Sequence, residues 1–105
     1  MAQFDVHRNP NPSSARAVPY LLNIQSDLLD HLVTRVVAPL ASLDVIGNKT
    51  ARYLNPIFEI EGKKLAMLTP ELAGIPAKRL GPTVASLKGA HGEIIRALDV
   101  IFSGV

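Results

Sequence analysis

The chain has 105 residues, 48 % of them hydrophobic and 19 % charged, with a net charge of +2 and a pI near 9.2. That length suits one domain spanning 1–105, and that apolar content excludes a disordered chain. The absence of cysteine excludes disulfide staples, thiol nucleophiles and cysteine metal sites, and fits a cytoplasmic protein. No apolar run approaches the roughly 20 residues of a membrane span. The opening MAQFDVHRNP lacks the basic and apolar regions of a signal peptide. The lysines and arginines are scattered, Trp is absent and aromatic residues make up 5 %. A sequence-reading nucleic-acid surface needs a denser basic stripe or aromatic platforms. Mild basicity suits an acidic protein partner, with ordinary solvated charge as the alternative.

In chain order, Gln3 to His7 alternates, with Phe4 and Val6 on one side, and reads as a strand. Asn9-Pro10-Asn11-Pro12-Ser13-Ser14 is a loop, because proline lacks a donor and Asn and Ser favour turns. Pro19 to Gln25 is a second strand, followed by a turn at Ser26-Asp27. Leu32 to Leu40 is β-branched-rich and reads as a long strand, with Pro39 marking a bulge or an edge. Ser42 to Asn48 reaches a turn at Gly47-Asn48. Pro56 to Glu61 and Lys64 to Leu68 pair as a hairpin turning at Gly62-Lys63. Thr69 to Ala73 reads as one helical turn, with Thr69 as N-cap and Pro70 first inside it. Ile75 to Leu80 is a further short strand, broken by Gly81-Pro82.

A terminal helix follows, expected from about Glu93 and running to the C-terminal carboxylate. Val84, Leu87, Ile94, Leu98, Ile101 and Val105 recur three, four or seven apart, on one helical face. Ile95 and Phe102 widen that face into a second stripe. A small domain covers one stripe with its own sheet. The second is read as a surface for another chain, or as a wide core face with a frayed end. The expected class is α+β or mainly β, several antiparallel strands and then one helix.

Catalysis needs titratable groups that converge. His7, His31 and His91 have no zinc-ligand spacing, and no phosphate-loop, dinucleotide or serine-elbow motif occurs. Asp27, Asp30 and His31 crowd one turn beside Ser26, which reads as a solvated turn before an acid/base cluster. Glu59 and Glu61 fit a solvent-facing strand edge. The residues point to a binding protein rather than an enzyme, without cofactor or metal.

Three stretches taken together carry a resemblance. They are Ile24-Gln25-Ser26-Asp27-Leu28-Leu29-Asp30, Val37-Ala38-Pro39-Leu40-Ala41-Ser42, and the series Asn55-Pro56, Met67, Thr69, Ala73, Ile75-Pro76 and Gly81 leading to Phe102-Ser103-Gly104-Val105. In this order and spacing the chain resembles the CcdB family, toxins of type II toxin–antitoxin pairs, over nearly its whole length. The resemblance implies an SH3-like barrel of antiparallel strands with a small subsidiary sheet and a C-terminal helix, assembled as a homodimer. It implies a toxin that binds the DNA gyrase A subunit, traps the gyrase–DNA cleavage complex, and is neutralised by a CcdA-like antitoxin with a disordered acidic tail.

Carried over by position, the gyrase contacts are Leu28, Leu29, Asp99, Ser103, Gly104 and Val105, and the dimer contacts are Ile101 and Phe102. Arg8 and Arg16, in the loop after the first strand, are the expected antitoxin contacts. Two positions depart from the family pattern. Ser103 stands where the best-known toxin has tryptophan, and Asp99 where it has asparagine. Two other functions remain open: a CcdB-like protein that binds an antitoxin but does not poison gyrase, and a ribonuclease of the MazF type on the same barrel. The ribonuclease would use arginines such as Arg16 and Arg35.

Overall fold

The computed structural model describes residues 2–47 and 54–104. Its strands are β1 (Asp5–Arg8), β2 (Tyr20–Asn23), β3 (Thr34–Ser42), β4 (Ile57–Ile60), β5 (Lys63–Met67), β6 (Ala73–Pro76) and β7 (Thr83–Ser86). Among the described residues two α-helices accompany them, the single turn α1 (Leu43–Ile46) and the terminal α2 (His91–Ser103). The strands form one antiparallel sheet in the order β4-β5-β3-β2-β1-β7, with β6 also paired to β3. The sheet curls into a half-barrel with the C-terminal helix beside it, an α+β arrangement of SH3-like kind.

The nine residues of β3 organise the sheet. One edge pairs with β2, Leu22 opposite Ala38 and Tyr20 opposite Leu40. The other edge takes β6 along Thr34 to Val37 and β5 along Leu40 to Ser42. Pro39 falls between those two partners, and its carbonyl accepts the Leu68 N–H on that side. A residue's N–H and C=O leave an antiparallel strand on the same side, so the missing proline donor faces the seam. Pro39 therefore marks neither a bulge nor an edge, but the switch from one partner strand to the next.

Alternation along β3 puts Ala38 and Leu40 on the core face, with Val6, Tyr20, Leu22, Phe58, Ile60, Leu65 and Met67 from neighbouring strands. Ile94 and Ala97 of α2 are also fully buried there. Arg35, Val37, Leu21, Asn23 and His7 are buried as well, and strand alternation sets them on the opposite face.

Several boundaries differ from the sequence reading for definable reasons. The first strand starts at Asp5, because Phe4 adopts a left-handed φ of 69°. Its ring still reaches the core and meets His91 edge-on at 5.3 Å. The hairpin turns at Glu61-Gly62, one residue early, with φ of 52° and 80°. Two consecutive positive φ values make a type I′ turn, whose twist matches the flanking strands. Thr69 is not an N-cap: its hydroxyl donates to the Leu54 carbonyl, and its N–H to Asn55. Leu68 takes the N-cap position of the 3-10 turn Thr69–Glu71, which has no side-chain cap bond. The expected strand over 75–80 divides into β6 and a 3-10 turn, Ala77–Arg79.

Val84 and Leu87 do not belong to the terminal helix. Val84 sits in β7, which pairs with β1, and Leu87 donates its N–H to the Phe4 carbonyl. The helix starts at His91, two residues before Glu93. At the other site of expected turning, residues 42–48, Gly47 closes α1 with φ 79°, while Asn48 lies outside the described residues.

Candidate partner-binding site

The connection from β2 to β3 is short, polar at its start and apolar at its tip. Ser26 caps a 3-10 turn, Asp27–Leu29, by accepting the Leu28 N–H at 3.2 Å. Asp27 accepts the Gln3 N–H at 2.8 Å. Asp27 is thus a structural acceptor, and no group of residues suited to a metal occurs among the described residues. The turn buries none of its own side chains. Leu28 is 87 % exposed and Val33 82 %, with Leu29 and Leu32 also exposed. An open groove of about 410 Å3 continues from Val33 along Thr34, Pro76, Ala77 and Lys78.

The second part of the expected site is the end of α2. Ile101 is half-buried, whereas Phe102 is 72 % exposed. Asp99 and Ser103 are exposed, and the Ser103 hydroxyl donates to the Asp99 carbonyl at 2.7 Å. Gly104 ends the helix in a left-handed conformation, φ 74°, with its N–H on the Val100 carbonyl. That conformation is what glycine supplies at a helix end. Val105 lies outside the described residues.

The third part is basic. Arg8 is not in the loop but is the last residue of β1, paired in register with Tyr20. Its guanidinium forms an ion pair with Glu61 at 2.9 Å. The same carboxylate accepts the Tyr20 hydroxyl. Burial, then the bond to Glu61, raises the Tyr20 pKa above its ordinary 10.0. The Tyr20 hydrogen bond lowers that of Glu61, desolvation partly opposes it, and the charge of Arg8 adds a smaller lowering. Glu61 therefore belongs to the hairpin turn rather than to a strand edge shared with Glu59. Arg16 is exposed, in the turns that follow Pro12.

The arginines do not form a shared active groove. Arg35 is 7 % exposed and gives its N–H groups to backbone carbonyls, so it is not presented to a substrate. Residue patterns alone missed the roles of Gln25 and Arg35. The available signal was a charged residue inside a β-branched run, which demands a polar partner once that run is buried.

The family model described as CcdB protein matches residues 3–104. The chain belongs to the CcdB family. Membership makes it the toxin component of a toxin–antitoxin pair, with an antitoxin as partner. CcdB proteins are toxins rather than classical enzymes. No helix among the described residues is long and apolar enough to cross a membrane.

Proposed function

We propose that this CcdB-family protein acts as a homodimer on the A subunit of DNA gyrase, trapping the cleaved-DNA complex, until a CcdA-like antitoxin with an acidic disordered segment removes it. The observation that carries this reading is the position of its most exposed apolar residues. Leu28 at 87 % and Phe102 at 72 % stand at positions that correspond to the family's target and dimer contacts, and Val33 at 82 % lies in the same loop as Leu28. Clustered exposed apolar groups, as at Leu28, Leu29, Leu32 and Val33, mark a site for another chain. The charges agree with an acidic antitoxin: the chain is basic overall, and Arg8 already binds one carboxylate.

A second reading has its own support at Ser103. Its hydroxyl is occupied by the helix itself, and no aromatic ring stands there. A protein that binds its antitoxin but traps gyrase weakly fits this surface. The experiment that separates the two is a DNA-cleavage assay with purified gyrase, comparing the natural protein with Ser103→Trp. Weak trapping that Ser103→Trp increases supports a weakened gyrase toxin. No trapping by either protein means that gyrase is not the target.

A further inference from the structure

We infer that Arg35 and Gln25 are positioning residues that fix the loop from Ser26 to Thr34 in the shape in which it meets the toxin's target. The inference rests on the reading above that this loop contacts the target.

The loop has an unusual problem. Residues 27–34 are all exposed, among them Leu28 at 87 % and Val33 at 82 %. Side-chain burial, which fixes most loops on a domain, is not holding this one. Left to itself, such a segment would fold its apolar groups inward. Its backbone is held from below instead. Gln25, 8 % exposed, donates from Nε2 to the Leu29 carbonyl at 2.9 Å. Its Oε1 accepts the Val36 N–H at 3.0 Å, which ties the same side chain to β3. Arg35 donates from Nη2 to the Asp30 carbonyl at 2.6 Å, and from Nη1 to the carbonyls of Leu32 and Thr34. Four carbonyls of one short stretch, those of Leu29, Asp30, Leu32 and Thr34, thus converge on two buried side chains.

The choice of residues is informative. A buried arginine is ordinarily paired with a carboxylate. Here the guanidinium bonds go to the carbonyls of Asp30, Leu32 and Thr34, so its burial is tied to the shape of the loop. A lysine has a single nitrogen and could not span the carbonyls reached by two guanidinium branches. A loop fixed through its backbone leaves its side chains free to point outward, and binding then loses little ordering entropy. If the loop were loosened, affinity would fall by the fraction of time it holds the competent shape.

The test uses the intact protein and two variants, Arg35→Lys and Gln25→Glu. Arg35→Lys keeps the charge and loses the fork. Gln25→Glu puts an acceptor against the Leu29 carbonyl while the other oxygen still receives the Val36 N–H, and it serves if Arg35→Lys does not fold. The amides of Leu29, Asp30 and Leu32 are hydrogen-bonded within the loop, so their exchange reports its order. The expected result is at least tenfold faster exchange at those amides, unchanged exchange in β1 and β2, and at least a tenfold higher expression level needed to arrest growth. Unchanged loop exchange overturns the inference. So does faster exchange throughout β1 and β2, which would mark a merely structural role, and so does a loosened loop with undiminished growth arrest. Growth arrest by the unaltered protein that persists in cells with resistant gyrase sinks the gyrase reading alone. An unaltered protein that arrests no cells sinks the toxin's target reading and this inference together.

Discussion

Ser103 donates its hydroxyl to the Asp99 carbonyl, so an exposed residue in the last turn of α2 offers little to a partner. An indole there would add at least ~150 Å2 of apolar surface, or about 4 kcal/mol at ~25 cal/mol per Å2 before ordering costs. A net gain of about 2 kcal/mol is typical of an aromatic hot spot and corresponds to roughly thirtyfold. Ser103→Trp is therefore expected to tighten binding to the gyrase A subunit by about that factor in a direct titration. Gly81 is constrained differently. A Cβ built there would lie 2.5 Å from the Arg8 carbonyl oxygen, and that neighbour is backbone, which cannot swing away. The same approach lets Arg8 donate its N–H to Pro82 and His7 Nδ1 bond the Gly81 carbonyl. Gly81→Ala should cost about 1–3 kcal/mol, the usual range for overpacking. Each kcal/mol should lower the melting temperature by about 4–8 °C for a domain near this size, as calorimetry will show.

At the scale of elements, the hairpin of β4 and β5 is tied to β1 and β2 through the Glu61 carboxylate. Because the Glu61 pKa is lowered, the unfolded chain binds more protons than the folded one just below the ordinary 4.5. This contribution is present above that value and is lost as pH falls through the folded pKa. Tyr20 has the opposite sign. Its raised pKa leaves the contribution intact below 10.0 and removes it as pH rises through the folded value. Glu61→Gln should therefore flatten the acid side of a melting-temperature profile, and a profile unchanged below pH 4.5 would refute the tie. The hairpin also shows what was legible in the sequence. Two alternating runs around a glycine marked both strands, but the turn fell one residue earlier, because a glutamate holds a left-handed φ that its side-chain contacts stabilise from elsewhere in the chain. The same limit explains Phe4, whose alternation with Val6 correctly put both in the core while its backbone left the strand. Strand β7 was invisible to periodicity, because the three-residue spacing of Val84 and Leu87 fits a helix as well as a strand end. Leu28 and Leu29 are singled out only by family resemblance, as target contacts. The support of their loop by Gln25 and Arg35 depends on carbonyls brought together only by folding.

For the whole molecule, under the proposed function, charge and exposed apolar surface address different partners. Arg8 is half-exposed and its pairing with Glu61 is of the weak surface kind, so an acidic antitoxin segment can replace that carboxylate at small cost. Antitoxin affinity should accordingly fall as salt is raised, and Arg8→Ala and Arg16→Ala should reduce the slope; an affinity independent of salt would exclude charge pairing. Under the proposed function, the exposed apolar end of α2 faces a second copy. The buried side of α2 is satisfied by Ile94 and Ala97, whereas Phe102 projects from its last turn into solvent on an isolated chain. A twofold interface brings each residue near its own copy, so one substitution is felt twice. Phe102→Asp would place two carboxylates together where two rings had met, replacing apolar burial with repulsion between desolvated charges. The natural protein should sediment as a dimer at micromolar concentration and Phe102→Asp as a folded monomer. Val33→Asp, on the loop between β2 and β3, should remain dimeric. A monomeric natural protein would refute the dimer, and a Phe102→Asp variant that still dimerises as tightly would place the twofold contact away from the end of the helix.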